Sequence, residues 1–358
     1  MYRSILILTV LSLFQLPTFA QSVSNQNIGE MTLLLKDSAR NRPVTTEIWY
    51  PTRDTLTQEE ALQQMDHKRI PVVRAPMVRN AKVINQKMPL ILLSHGAGGS
   101  RQDLQWLADG LVRRGFIVAA VDHYGSTYDN RIPEDFAQPW RRPLDISYVL
   151  TALLKDTLFG SVIDPKRIGA AGHSIGGYTV LALAGGKLDL DAIRAYLNTE
   201  KGKKEVEGIY PNLLDIVNGV ATTASFINSP PLKDTRIKAF LAMCPAIGQG
   251  FVRKDQMASI SGPVYIMGAE SDSIAPVQTN AMQYHRLISG SKLLIVKGGH
   301  FVFFSEAYDE LKKQAAFVFV DDPSVDRHEV HKKVIREAAE FFNEALQSEK
   351  GAMIARLF

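Results

Sequence analysis

Gly172-His173-Ser174-Ile175-Gly176 is the segment of this chain best suited to chemistry. A serine between glycines at this spacing fits a sharp strand-to-helix turn, which exposes the hydroxyl and tolerates only small neighbours. The run Arg167 to Ala171 before it and the helical run Tyr178 to Ala184 after it supply that context. A serine hydroxyl is a weak nucleophile at its own pKa, so it needs a base, and the base needs a carboxylate to fix its tautomer. With the acid following the serine and the histidine coming last, His300 in Gly298-Gly299-His300-Phe301 is the candidate base. It follows the short strand Leu293 to Val296, at what would be the carboxyl edge of a sheet. Asp272, just past the strand Val264 to Met267, is the candidate acid, with Glu270 as its rival two residues away.

Acyl transfer at such a serine also needs hydrogen-bond donors for the developing oxyanion. The backbone N–H of Ile175 is one. The glycine-rich turn Ser94-His95-Gly96-Ala97-Gly98-Gly99-Ser100 offers the other, with Ala97 N–H the expected donor. This turn lacks the Gly-Lys-Ser/Thr ending of a phosphate-binding loop. His328-Glu329-Val330-His331 spaces its histidines three apart, against four in the zinc-protease pattern, and reads as a solvated helix face. The single cysteine, Cys244, excludes an internal disulfide and reads as a small core residue. The chemistry therefore calls for no cofactor and no metal.

The elements that must position these residues follow an α/β rhythm, with short aliphatic runs alternating with helical patterns. Met31 to Lys36 and Val44 to Tyr50 read as opening strands, followed by the buried strands Pro89 to Ser94 and Phe116 to Val121. Helices are expected over Gln102 to Arg114, Pro143 to Leu158 and Asp326 to Leu346, and a further strand over Ala239 to Met243. Asp54 to Gln86 reads as an irregular excursion. Gly185 to Asp234 is too long for a structureless loop in a compact domain and reads as a lid. Its apolar residues Phe226, Ile227 and Leu232 are expected to shape the substrate pocket, together with His95 and Phe301.

The chain has 358 residues, 46 % of them apolar and 22 % charged, which excludes a disordered chain and a multi-span membrane protein. A net charge of +4, dispersed along the chain, leaves no footprint for nucleic acid. Arg3, the apolar run Ile5 to Leu16 and the small residues before Gln21 read as a signal peptide over residues 1–20. The apolar run of about 12 residues is short of the roughly 20 that cross a bilayer, so no stable membrane insertion is expected. Residues 21–358 are then one exported domain, periplasmic or secreted, with a lid insertion near 185–234.

The chain resembles α/β-hydrolases of the dienelactone-hydrolase-like group that includes platelet-activating-factor acetylhydrolases. The resemblance is carried by Ser94-His95-Gly96-Ala97-Gly98, Asp122-His123-Tyr124-Gly125-Ser126-Thr127, Arg142-Pro143-Leu144-Asp145-Ile146, Gly172-His173-Ser174-Ile175-Gly176-Gly177, Asp272 and Gly299-His300-Phe301. It implies a mostly parallel sheet flanked by helices, with Ser174 as nucleophile, Asp272 as acid, His300 as base, and Ala97 and Ile175 as oxyanion donors. Dienelactone hydrolases proper carry cysteine where this chain has Ser174. The expected activity is cleavage of small to medium carboxylic esters through an acyl-enzyme. Deacetylation of phospholipids and a catalytically inactive binding protein are the alternatives. The base must be neutral, so activity should rise with pH through the imidazole range near 6.5.

Overall fold

The aliphatic runs pair into a nine-stranded sheet in the computed structural model, which describes residues 27–64, 72–207, 210 and 212–347. The expected signal peptide lies outside the described residues. The strands are β1 (Asn27–Asp37), β2 (Arg42–Thr52), β3 (Met77–Arg79), β4 (Met88–Ser94), β5 (Ile117–Val121), β6 (Ile163–His173), β7 (Ala239–Met243), β8 (Val264–Ala269) and β9 (Lys292–Val296). Their order is β3-β1-β2-β5-β4-β6-β7-β8-β9. β2 runs antiparallel to both its neighbours, and every other pair is parallel.

Alternation along the strands divides the core between two faces. On β4, Leu90 and Leu92 join Ile117, Ala119 and Val121 of β5 on one side, while Ile91 and Leu93 join Val118 and Ala120 on the other. Helices flanking the sheet and its edge include α1 (Gln58–Gln64), α2 (Gln105–Val112), α3 (Arg141–Lys155), α4 (Ile175–Ala184), α5 (Leu190–Leu197), α6 (Glu200–Glu207), α7 (Leu213–Asn218), α8 (Val220–Ile227), α9 (Ala281–Leu287) and α10 (Arg327–Ala345). α3, α4 and α9 cover the first face through Val149, Leu150, Leu181 and Tyr284. α2 and α10 cover the second through Leu107, Leu111, Val334, Ala338 and Phe342. Coverage on both faces is why β4 and β5 read as near-continuous apolar runs.

Two expectations change. The stretch 54–86 is not wholly irregular: it holds α1 and the three-residue β3, which pairs parallel to β1 at the sheet edge. A strand of three residues is too short to show alternation. His331 is not on a solvated face. Its ring stacks on Trp106 at 3.9 Å between centroids, and Nε2–H donates to the Val302 carbonyl at 2.9 Å. Burial holds its pKa down to about 4, so it sits there as a neutral donor. The segment 185–234 forms α5 to α8. Trp140 Nε1 donates to Ser225 Oγ at 3.1 Å, and Ala137, Leu213 and Val217 make a small apolar cluster of their own. No helix among the described residues is long and apolar enough to cross a membrane.

Candidate active site

Parallel strands deliver their following loops to one edge of a sheet, where ligands bind in open α/β folds. Here the loops after β4, β6, β8 and β9 carry Ala97, Ser174, Asp272 and His300. Ser174 stands between β6 and α4 with φ 58° and ψ −121°, a conformation an L-residue adopts only under constraint. The constraint is visible in the backbone. Ser174 N–H donates to Met243 O at 2.9 Å, and Ser174 O accepts from Ala246 N–H at 3.0 Å. The flanking glycines are required by space: a Cβ on Gly172 would strike the Gly176 carbonyl, and one on Gly176 would strike the Ser94 carbonyl. Among the described residues the Ser174 hydroxyl makes no side-chain hydrogen bond.

His300 Nδ1 meets Asp272 Oδ2 at 2.7 Å, with both residues buried. The other Asp272 oxygen accepts the N–H groups of Ile274 and Ala275 at 2.9 and 2.7 Å, so the turn that starts the next segment also aims the carboxylate. Burial raises the Asp272 pKa, but the hydrogen bond and charge of His300 outweigh it and hold the carboxyl below its usual value. Glu270, the rival acid, is exposed. With Nδ1 committed to Asp272, Nε2 is the nitrogen His300 has free for proton transfer.

Two supporting residues carried no functional expectation from the sequence. The Cys244 thiol also hydrogen-bonds Asp272, and burial drives its own pKa well up, so it serves as a neutral donor. His173 Nε2–H donates to the His300 carbonyl at 3.0 Å, and the two rings lie 4.6 Å apart. Burial and the neighbouring His300 hold His173 down to about 3, which keeps it neutral. His173, Cys244 and His300 form a close group of metal-ligating side chains, yet two of them are already engaged with Asp272.

Neither Ala97 N–H nor Ile175 N–H is bonded to a protein acceptor among the described residues, and Ala97 is exposed. Gly96 brings this turn onto the serine: a Cβ there would touch Ser174 Cβ at 3.4 Å.

The substrate contacts fare differently. Phe301 packs edge-on to the His300 ring at 5.4 Å and against Phe304 and Phe317. His95 is buried and both ring nitrogens are spent on the backbone of Gly96 and His123, so it does not face substrate. Phe226 and Ile227 line a cavity of about 430 Å3 with Leu188, Arg194, Arg253 and Gln256, and none of Ser174, Asp272 and His300 borders it. Leu232 is packed against the core instead. Sequence placed these apolar residues in one insertion, but their directions depend on how α5 to α8 pack.

A family model described as the alpha/beta hydrolase family matches residues 90–314, more than half of the chain. A second, described as platelet-activating factor acetylhydrolase, isoform II, matches residues 32–128. Cutinase est2 of Thermobifida alba is 32 % identical over 108 residues, 30 % of this chain and 34 % of that protein. Lipase 1 of Moraxella sp. (strain TA144) is 35 % identical over 81 residues, 23 % of each chain. A cutinase of Thermobifida fusca (strain YX) is 28 % identical over 155 residues, 41 % of this chain and 48 % of its own. The chain thus spans about a third of the length of the first curated relatives it matches. A solved ferulic acid esterase from Streptomyces cinnamoneus shares the fold, with a TM-score of 0.56 and 19 % identity over 90 % of this chain and 91 % of that one.

Proposed function

Because the chain belongs to the alpha/beta hydrolase family, we propose that it is an exported serine hydrolase cleaving small to medium carboxylic esters through an acyl-enzyme. The single observation that carries this reading is the strained Ser174 on the loop after β6 together with the buried His300–Asp272 pair on the loops after β8 and β9, at the same edge of the sheet. Relatives named as cutinases, a lipase and a ferulic acid esterase support ester chemistry over other acyl transfers. In the reaction, His300 Nε2 takes the Ser174 proton as Oγ attacks the ester carbonyl. The oxyanion is received by Ala97 and Ile175 N–H, which are free to donate. Asp272 keeps the proton on Nδ1 and stabilises the imidazolium. His300 then protonates the leaving alcohol and activates the water that releases the acid. Export rests on the basic and apolar pattern of residues 1–20.

The test is hydrolysis of p-nitrophenyl acetate, butyrate, octanoate and palmitate, with Ser174→Ala alongside. Ser174→Ala should lose roughly four to six orders of magnitude, as expected for groups acting as one unit. Activity falling off beyond octanoate would fit the small-to-medium reading, and equal inertness of wild type and variant would refute it. The match of residues 32–128 to the acetylhydrolase model favours one second reading, deacetylation of a short-chain phospholipid. Acetate release from such a lipid at a higher kcat/KM than from p-nitrophenyl acetate would select it.

A further inference from the structure

A second serine–histidine–aspartate chain lies beneath the turn after β4. Ser94 Oγ meets His123 Nε2 at 2.9 Å, and His123 Nδ1 meets Asp145 Oδ2 at 2.9 Å. All three residues are fully buried, so no substrate reaches them. Burial, with Arg142 and Arg42 nearby, keeps the His123 imidazole neutral. Its Nδ1–H therefore donates to Asp145, and its Nε2 accepts from the Ser94 hydroxyl. The Asp145 charge is matched separately, by Arg42 Nε at 2.8 Å and Arg40 Nη1 at 2.9 Å.

Arg142, buried on α3, joins this scaffold to the turn. Its Nη2 donates to the His95 carbonyl, and its Nη1 donates to Ser126 Oγ at 2.9 Å. Its Nε has no partner among the described residues, so these two ties are what hold the guanidinium. The Ser126 carbonyl in turn accepts Gly98 N–H at 3.1 Å. Between the ties lies the Gly96–Ala97 peptide, whose carbonyl oxygen sits 2.6 Å from His95 Nδ1. A peptide is planar and trans, so fixing that oxygen fixes the opposite direction of Ala97 N–H. The His95 ring is itself set by His123 N–H, which reaches its Nε2 at 3.1 Å. The peptides before, at and after Ala97 N–H are each pinned.

We propose that Arg142 is a positioning residue that presets the oxyanion-donating turn, with the buried Ser94–His123–Asp145 chain as its foundation and His95 as its link to Ala97. The assignment rests on the serine-hydrolase reading above. Arg142 hydrogen-bonds neither Ser174 nor His300 and acts through the aim of Ala97 N–H. Removing an oxyanion donor outright costs about 10²–10³ in kcat. Misaiming one should cost less.

Arg142→Gln is expected to lower kcat for p-nitrophenyl acetate about 10- to 100-fold with KM within threefold, and to slow phosphonylation of Ser174 by a fluorophosphonate by the same factor. Both steps place a negative oxygen at the turn, which is what a loosened turn fails to hold. Arg142→Lys, keeping the charge and one tie, should recover part of the loss. Ser126→Ala, removing the other tie, should give a smaller loss that adds little in the Arg142→Gln background. An Arg142→Gln protein that melts like wild type and keeps both rates within threefold overturns the assignment, as does a loss confined to KM. Should Arg142→Gln fail to fold, Arg142→Lys and Ser126→Ala decide the matter, and wild-type phosphonylation in both overturns it. A wild-type protein that hydrolyses no ester and takes no phosphonate defeats the serine-hydrolase reading and this assignment together. A reactive wild type with unaffected variants defeats this assignment alone.

Discussion

At the scale of residues, the site depends on a few atoms whose environments set their protonation. Asp272 illustrates the balance: burial pushes its carboxyl up, and His300 with the Ala275 amide brings it below the usual value. A carboxyl lowered in the folded state stabilises the protein above its unfolded pKa, near 3.9, and loses that contribution as pH falls through the folded value. Asp272→Asn should therefore flatten the acid limb of a melting-temperature profile below about pH 5. It should also cut kcat by about 10⁴, because the imidazole loses the partner that fixes its tautomer. An unchanged acid limb would mean that the pair contributes nothing to the fold. The types and order of Ser174, Asp272 and His300 were legible because nucleophile, acid and base each demand particular chemistry. Cys244 and His173 were not, since a thiol on a carboxylate and a ring on a carbonyl leave no mark in a linear pattern.

At the scale of elements, strands buried on both faces announced themselves, and β7 has the bounds expected from its apolar run. Polar residues buried inside helices did not. Arg142 lies in the first turn of α3, just before the start at Pro143 expected from the sequence, and its burial follows only from the contacts of α3 with the loops after β4 and β5. Asp109 on α2 is a similar case. One oxygen accepts Ala75 N–H at 3.2 Å while the other has no partner among the described residues. Burial raises its pKa to about 7, with the Ala75 bond and Arg113 opposing. A carboxyl raised in the folded state contributes stability below its unfolded pKa and loses it as pH rises through about 7. Asp109→Asn removes that slope. Its melting temperature should gain on wild type by a few degrees between pH 5 and pH 8, and a constant difference over that range would contradict the account.

At the scale of the whole molecule, chain order and sheet order together explain why the loops carrying residues 174, 272 and 300 share one edge of the sheet. β6, β7, β8 and β9 are parallel neighbours, so their following loops open at one edge. That much follows from reading a serine turn, an acid and a histidine each behind a strand. How the segment 185–234 disposes its apolar side chains did not follow, because its helices are short and pack partly on one another and on the helix Pro133–Ala137, and partly on the main core. The most direct test of the central claim is mass-mapped labelling of the protein by a fluorophosphonate, with His300→Ala in parallel. A single adduct on Ser174, lost in His300→Ala, is expected. An adduct on another residue, or undiminished labelling of Ser174 without His300, would contradict that claim.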